Sequence, residues 1–130
     1  MDLITVSRRD GRSFDIKVRS HTITTDLTQK ENGNDDGPTP VDLFVGTLGA
    51  CIGTMVQGYC DKHGYEEGDV SLALTYELAD HPKRISAITV DLEIPEDVPD
   101  ERKKALRRVA ELCPVHATLR TPPRIDLDIV

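Results

Sequence analysis

The sequence lacks the features that mark several large classes of protein. It has no surplus of positive charge, because 16 Lys and Arg stand against 23 Asp and Glu and the net charge is -7. Nucleic-acid binding, in contrast, depends on clustered cations. The N-terminus, MDLITVSRRDGRSFD, has no apolar stretch of signal-peptide length. We therefore predict a cytoplasmic protein that binds neither nucleic acid nor a membrane.

Cysteine is scarce, and its spacing excludes the common metal sites. There are three cysteines and no CxxC pair, and the grouping of Cys60 with His63 has no second cluster at zinc spacing. We predict no metal and no cofactor. A structural disulfide framework is rare in the cytoplasm, so each thiol is either an inert core residue or a reactive one.

The strand patterns lie at the two ends and in the middle of the chain. A length of 130 residues suits one domain, predicted over residues 1–130. Alternating, β-branched segments open the chain, and Asp10-Gly11 predicts a tight hairpin between the first two. A second hairpin and a last strand follow. The predicted strands are DLITVSRR, RSFDIKVRS, HTITTDLTQ, DVSLALTYELA, ISAITVDLEIP and RIDLDIV.

Two helices are predicted between these strands. The first begins near Thr39-Pro40, where a hydroxyl can cap the first turn and proline is tolerated. The second is amphipathic and breaks at Pro114, directly after Cys113. The order β-β-β-α-β-β-α-β indicates an α+β fold with two central helices against curved antiparallel sheets.

The first helix contains the most apolar run of the chain, PTPVDLFVGTLGACIGTMVQGYC. Polar residues and glycines interrupt it, so we interpret it as a core helix and not as a bilayer span. Gly46, Gly49 and Gly53 each lower helix propensity by about 1 kcal/mol relative to alanine. Their presence predicts very close approach by another backbone.

Cys51 lies about three turns inside this helix, where the helix dipole no longer stabilises a thiolate. Apolar surroundings raise the pKa of a cysteine, so a reactive Cys51 needs a cationic neighbour from another segment. Arg19 is the first candidate, and Arg12 and Arg9 remain alternatives.

Cys113 lies at the helix break, where an irregular backbone can turn a side chain towards a cleft. If both helices pack in the core, Cys51 and Cys113 can meet, and a disulfide then requires Cα atoms within about 7 Å. The alternative is that both are ordinary core residues, since free cysteine is among the most buried residue types.

Two segments resemble the signature segments of the OsmC/Ohr family. GPTPVDLFVGTLGAC is similar to its proline-led helix with an acid and leucines before a cysteine, and LRRVAELCPVHATL is similar to its second helix, which ends in Cys-Pro-Val/Ile and a later leucine. The resemblance extends over essentially the whole chain. It implies an intertwined homodimer whose long central helices are wrapped by sheets, with active sites at the subunit interface.

The resemblance also implies a chemistry. The best-known members of the family are thiol-dependent peroxidases that reduce organic hydroperoxides. By position, Cys51 corresponds to the peroxidatic cysteine and Cys113 to the resolving one. The implied partners are a second copy of the chain, an organic hydroperoxide and a dithiol reductant.

The sequence departs from the Ohr branch at one informative position. A glutamate follows the helix-starting proline in that branch, whereas this chain has Val41 there and an acid one place later, at Asp42. It is therefore similar to the broader OsmC-like branch. The alternative function is an OsmC-like protein without efficient peroxidase activity that binds or processes another small apolar molecule in the same cleft. His116 is either a base for Cys113 or an ordinary hydrogen-bonded histidine.

Overall fold

The computed structural model describes the whole chain, Met1–Val130. Its backbone contacts divide it into two compact units, Met1–Phe44 and Val45–Val130. That the two units act as one domain stays a prediction.

The N-terminal unit is built on a three-stranded antiparallel sheet in the order β1-β2-β3. Gly11 and Arg12 form the first turn, so Asp10 pairs with Ser13, and Gly11 adopts a left-handed φ of 49° that glycine reaches at little cost. The predicted hairpin is confirmed. The strands are β1 (Thr5–Asp10), β2 (Ser13–Val18) and β3 (His21–Thr25).

One face of this sheet is apolar but incompletely covered. Val6 and Ile23 are both cross-strand partners of Ile16, and Phe14 shares their face because side chains alternate along a strand. Val6, Phe14 and Ile23 are exposed. The fully buried residues of the unit are polar instead, and they are Ser13, Thr25, Asp26 and Thr39.

The loop after β3 is organised by the carboxylate of Asp26, which is 1% exposed. It accepts hydrogen bonds from the backbone amides of Leu27 at 2.7 Å and of Asn34 and Asp36, each at 3.2 Å. The bond from Leu27 is the main reason why the pKa of Asp26 lies below its ordinary value; burial opposes this effect, and the other two amides and the charge of Arg9 reinforce it. The long loop therefore has a fixed conformation around one buried charge.

The second unit combines a two-stranded antiparallel sheet with helices. Strands β4 and β5 pair from Ser71↔Glu93 to Ala79↔Arg84, with an irregularity after Glu77. Their alternating pattern buries one side and exposes the other. The elements are α1 (Pro40–His63, which begins in the N-terminal unit), β4 (Ser71–Ala79), β5 (Arg84–Glu93), α2 (Asp100–Glu111) and α3 (Pro114–Arg120).

Helix α1 supplies most of the core of this unit. By length and composition alone it could cross a membrane, but four of its side chains form the core with Val98, Leu106 and Cys113. These four are Leu48, Ile52, Val56 and Cys60. Packing within the unit therefore accounts for the apolar side of the helix.

Two glycines of α1 lie against β4. A Cβ added at Gly49 would lie 2.6 Å from Leu74 Cδ1, and one added at Gly53 would lie 3.2 Å from Leu72 Cδ1, whereas Gly46 has no neighbour within 4 Å. Gly49 and Gly53 therefore have close neighbours and Gly46 has none, but the predicted approach by another backbone is wrong at all three. The approaching groups are leucine side chains and not a backbone.

The α+β class is confirmed, and the C-terminal region differs from the prediction. The chain resumes a helix, α3, after the break at Pro114, because proline fits the first turn of a helix. The predicted strand RIDLDIV is not a strand in the single chain. Ile125, Leu127 and Ile129 are 83%, 83% and 96% exposed, and a strand needs a hydrogen-bonded neighbour that this segment does not have.

Candidate active site

Cys51 is positioned by a helix whose start is well defined. The Thr39 hydroxyl accepts a 3.1 Å hydrogen bond from the amide of Asp42, as the sequence predicts for a capping residue. Pro40 opens α1, and Asp42 lies in its first turn, next to the positive end of the helix dipole. Cys51 lies well inside the helix and is half-buried, so its thiol is open in part to an incoming reagent.

Cys113 is positioned by the break between α2 and α3. Helix α2 ends at Glu111, and Cys113 leaves the helical conformation, with φ -52° and ψ 128°, before Pro114 opens α3. Proline disfavours a helical residue before it, so the sequence Cys-Pro produces this bend. The Cys113 side chain is 0% exposed. The bend directs the thiol into the core instead of towards solvent.

The two thiols meet in the core of the second unit. Cys51 packs against the core cluster that contains Cys113, the two thiols lie close enough to interact, and both cysteines are free. Burial raises the pKa of Cys113, and the Cys51 thiol raises it further. Two acids in contact ionise one after the other, so a thiolate on Cys51 makes ionisation of Cys113 harder. The sequence-based prediction that these cysteines can meet is confirmed.

Two backbone amides oppose this rise in the pKa of Cys113. Those of His116 and Val115 lower its pKa, and the amide of His116 lies 3.4 Å from Cys113 Sγ. The net effect remains a raised pKa for Cys113. In this state Cys113 is a protonated, buried partner for a more accessible sulfur.

Cys60 has no comparable partner. It is 0% exposed, and burial raises the pKa of its thiol, with the charges of Asp61 and Asp97 adding to the effect. A protonated thiol in the core is a poor nucleophile. Cys60 therefore fills space in the core, as a buried free cysteine usually does.

Arg19, the first candidate for a cation, lies in the N-terminal unit. It occupies the turn between β2 and β3 with a φ of 53°, and its guanidinium forms a 3.3 Å ion pair with Asp2. Arg9 forms a 3.5 Å ion pair with Asp36. A role for Arg19, Arg9 or Arg12 beside Cys51 stays a prediction.

The second unit also contains a groove that the sequence did not reveal, and neither Cys51 nor Cys113 lines it. It has a volume of about 420 Å³ and is lined by α1, β5 and α2 and by His116 of α3. Apolar side chains form its walls, and charged groups lie among its lining residues. The apolar residues are Ile52, Val90, Leu92, Ile94, Leu106 and Ala110, and the polar ones are Lys103, Arg107, Glu111 and His116.

Comparison with known proteins shows which family the chain belongs to. The profile of the OsmC family, described as OsmC-like protein, matches residues 33–128, which include both Cys51 and Cys113. The chain belongs to the family of OsmC-like proteins. No curated protein sequence matches it closely enough to count as a relative.

Solved structures share the fold of this OsmC-like protein at low sequence identity. A Psychrobacter arcticus protein, assigned provisionally to the osmotic stress and detoxification response, is 19% identical with a TM-score of 0.82, over 91% of this chain and 88% of its own. An OsmC-like protein from Mycoplasma pneumoniae is 20% identical with a TM-score of 0.79, over 94% and 89%. The organic hydroperoxide resistance protein OhrB of Bacillus subtilis is 18% identical with a TM-score of 0.60, over 94% and 92%.

The sequence signals of this OsmC-like protein located the cysteines but not the groove. The groove can be traced afterwards in two periodicities. One is the alternation of Val90 and Leu92 along β5, continued by Ile94 directly after the strand, and the other is the helical spacing of Lys103, Arg107 and Ala110 along α2. Neither pattern says that the two faces enclose a space. The cysteine pair is the candidate functional site of this OsmC-like protein.

Proposed function

We propose that this protein is a thiol-dependent peroxidase that reduces organic hydroperoxides in the cytoplasm. One observation carries the proposal: the half-buried Cys51 of α1 lies beside the fully buried Cys113, which comes from the bend between α2 and α3. Two neighbouring free thiols are the reactants that a reversible disulfide requires. Membership of the OsmC-like family supports the choice of a peroxide as the oxidant.

In the first step, the Cys51 thiolate attacks the terminal oxygen of the hydroperoxide. The O–O bond breaks, the alkoxide takes a proton and leaves as an alcohol, and Cys51 becomes a sulfenic acid. Cys51 takes this role because its thiol is the more accessible of the two.

In the second step, the sulfur of Cys113 attacks the sulfenic sulfur of Cys51. The S–S bond forms, and the hydroxyl leaves with the Cys113 proton as water. An external dithiol then reduces the disulfide and is itself oxidised to a disulfide. It attacks the accessible sulfur of Cys51, and Cys113 leaves as a thiolate that accepts a hydrogen bond from the amide of His116.

Arg19 is our candidate for the cation that stabilises the Cys51 thiolate. In that role its guanidinium exchanges Asp2, its partner in the exposed ion pair, for the sulfur. Exposed pairs of this kind contribute only about 0–1 kcal/mol, so the exchange has a small cost. Arg19→Gln is expected to slow the peroxide step, with Arg12→Gln and Arg9→Gln as matched controls. A loss of rate in one of the controls, with Arg19→Gln unaffected, would assign the role to that arginine.

The functional unit in this proposal is a homodimer. The C-terminal segment alternates apolar Ile125, Leu127 and Ile129 with acidic residues, yet all three are exposed in the single chain. A segment of this pattern is stable as a strand when it pairs with a sheet edge. The apolar face of β1–β3 also lacks full cover. A second copy of the chain satisfies both requirements, and sedimentation equilibrium is expected to give twice the mass of 14.4 kDa.

The alternative function is a binding or processing role for another small apolar molecule, without efficient peroxidase activity. Two observations favour it: Val41 stands where the Ohr branch has a glutamate, and the 420 Å³ groove has apolar walls. In this case an alkyl hydroperoxide and a dithiol would be turned over no faster by the protein than by Cys51→Ser.

The decisive experiment compares intact masses before and after one equivalent of cumene hydroperoxide. The wild-type chain is expected to lose two hydrogens, and Cys113→Ser is expected to gain one oxygen on Cys51. Cys51→Ser is expected to show neither change and no turnover. Cys60→Ser is the matched control, because its thiol is also buried but has no thiol partner in the proposed reaction. Full turnover by Cys51→Ser would refute the assignment.

A further inference from the structure

His116 connects the end of α2 to the start of α3 through its side chain. Its Nδ1 lies 3.1 Å from the carbonyl oxygen of Glu111, the last residue of α2. A carbonyl can only accept a hydrogen bond, so Nδ1 carries the hydrogen and donates it. Carbonyls in the last turn of a helix have no partner within the helix, and a histidine side chain is one of the groups that can bind them.

The same residue contacts the sulfur of Cys113 through its backbone. The amide of His116 lies 3.4 Å from Cys113 Sγ, and the amide of Cys113 donates a 3.3 Å hydrogen bond to the carbonyl of Ala110. His116 therefore holds both sides of the bend that carries Cys113. The ring fixes the α2 side, and the amide fixes the direction of the sulfur.

We infer that His116 is a positioning residue for the resolving step, which keeps Cys113 Sγ directed at Cys51 through the bond from its ring to Glu111. This inference rests on the proposed function. When the Cys51 sulfenic acid has formed, Cys113 must attack it from a defined direction, with water as the leaving group. Without the ring bond, the α2–α3 bend samples other conformations, and the sulfenic acid remains available to competing reagents for longer.

Two substitutions separate the hydrogen bond from the other properties of the ring. His116→Asn places an amide nitrogen close to the position of Nδ1, so it can still donate to Glu111 but has no ring that titrates. His116→Ala removes both the donor and the ring. His116→Gln, whose amide nitrogen lies one bond farther out, provides a second variant without a donor at the right place.

The test is a competition in the full-length protein. One equivalent of cumene hydroperoxide is added in the presence of dimedone, which traps sulfenic acids, and peptide mass analysis gives the ratio of Cys51–Cys113 disulfide to the dimedone adduct of Cys51. We expect this ratio to fall about 3- to 10-fold in His116→Ala and His116→Gln, the effect of losing one neutral hydrogen bond, and to stay within about 2-fold of wild type in His116→Asn. Peroxide consumption in the first turnover is expected to be unchanged in all variants.

Two results would overturn the inference. The first is a disulfide-to-adduct ratio in His116→Ala that equals that of the wild type. The second is a ratio in His116→Asn as low as that in His116→Ala, because the ring itself, and not its donated hydrogen bond, would then be what matters. If the wild-type chain forms neither product, the proposed function fails instead. In that case diamide can be used, because it oxidises a neighbouring thiol pair to a disulfide and is itself reduced to a hydrazine. The rate of Cys51–Cys113 disulfide formation is then measured in the same variants. We expect this rate to be lower in His116→Ala and His116→Gln than in the wild type and in His116→Asn.

Discussion

The substitution Gly49→Ala tests the contact that fixes the helix of Cys51 against the sheet. The added methyl group would lie 2.6 Å from Leu74 Cδ1, with Cδ2 at 3.5 Å and Cγ at 3.6 Å. No real Cβ contact is that short, so either Leu74 rotates away from its half-buried position or α1 moves off β4. Gly58 provides a matched control on the same helix, because nothing lies within 4 Å of a Cβ placed there.

The two substitutions are expected to change the free energy of unfolding by different amounts. Replacing an interior helical glycine by alanine stabilises by up to about 1 kcal/mol, and this gain applies at both positions. At Gly49 the added methyl group also overpacks the contact, which costs about 1–3 kcal/mol. We expect a cost near the lower end of this range, because the clashing atoms belong to a side chain that can rotate. Gly58→Ala should therefore stabilise the protein, and Gly49→Ala should be neutral or destabilising.

Urea unfolding at one fixed protein concentration measures the difference between the two variants. Fixing the concentration matters because an oligomer's apparent stability depends on it. The free energy of unfolding of Gly58→Ala should exceed that of Gly49→Ala by about 1–3 kcal/mol. Adding Leu74→Ala to Gly49→Ala should remove the clash and give a coupling energy between the two sites. Equal stabilisation by both single substitutions would refute the packing of α1 on β4.

Three further predictions concern the thiols, the buried carboxylate and the C-terminal segment. Under native conditions, iodoacetamide should label Cys51 and leave Cys60 and Cys113 unmodified, because both are 0% exposed and have a raised pKa; peptide mapping would detect labelling of either. Asp26→Asn should lower the urea midpoint at neutral pH, because an amide replaces a carboxylate that accepts three amides. The folded-state pKa of Asp26 lies below its ordinary value of 3.8, so its contribution is present above pH 3.8 and is lost as the pH falls through the folded pKa; a mutant with the wild-type acid-unfolding curve would contradict this. Leu127→Asp should shift a dimer towards monomer in sedimentation, since it places a charge on the apolar side of the tail, whereas the control Asp126→Asn should leave the dimer intact.

The proposed reaction divides two requirements between helix α1 and the bend before α3. In that reaction, the more accessible thiol has to meet the substrate, and the second thiol has to be shielded from every partner except the first. Cys51 meets the first requirement on α1, and Cys113 meets the second at the bend before α3. The raised pKa of Cys113 favours its protonated form, as the proposed first step at Cys51 requires. A single helix carrying both cysteines close together would expose or bury the two thiols to a more similar extent.

Local physical rules let the sequence determine the elements and their order. The first hairpin, whose turn is formed by Gly11 and Arg12, the Thr39 cap and the Cys113-Pro114 break all depend on residues within a few positions of one another, and all three occur in the structure. The two signature segments identified the family for the same reason, because each is a short, ordered motif. Local rules failed at the C-terminus, where the alternating pattern of residues 124–130 predicts a strand but supplies no partner for it.

Only the tertiary structure decided how distant residues are combined. The contact between Cys51 and Cys113, the leucines that face Gly49 and Gly53, and the groove between β5 and α2 each join segments far apart in the chain. The ring of His116 is bonded to the end of the preceding helix, which its place in the sequence left open. Hydrophobic periodicity determines which face of a helix or strand is buried. The same periodicity suits any apolar face of similar shape as a partner. Which face becomes the partner is therefore decided only when all the elements pack together.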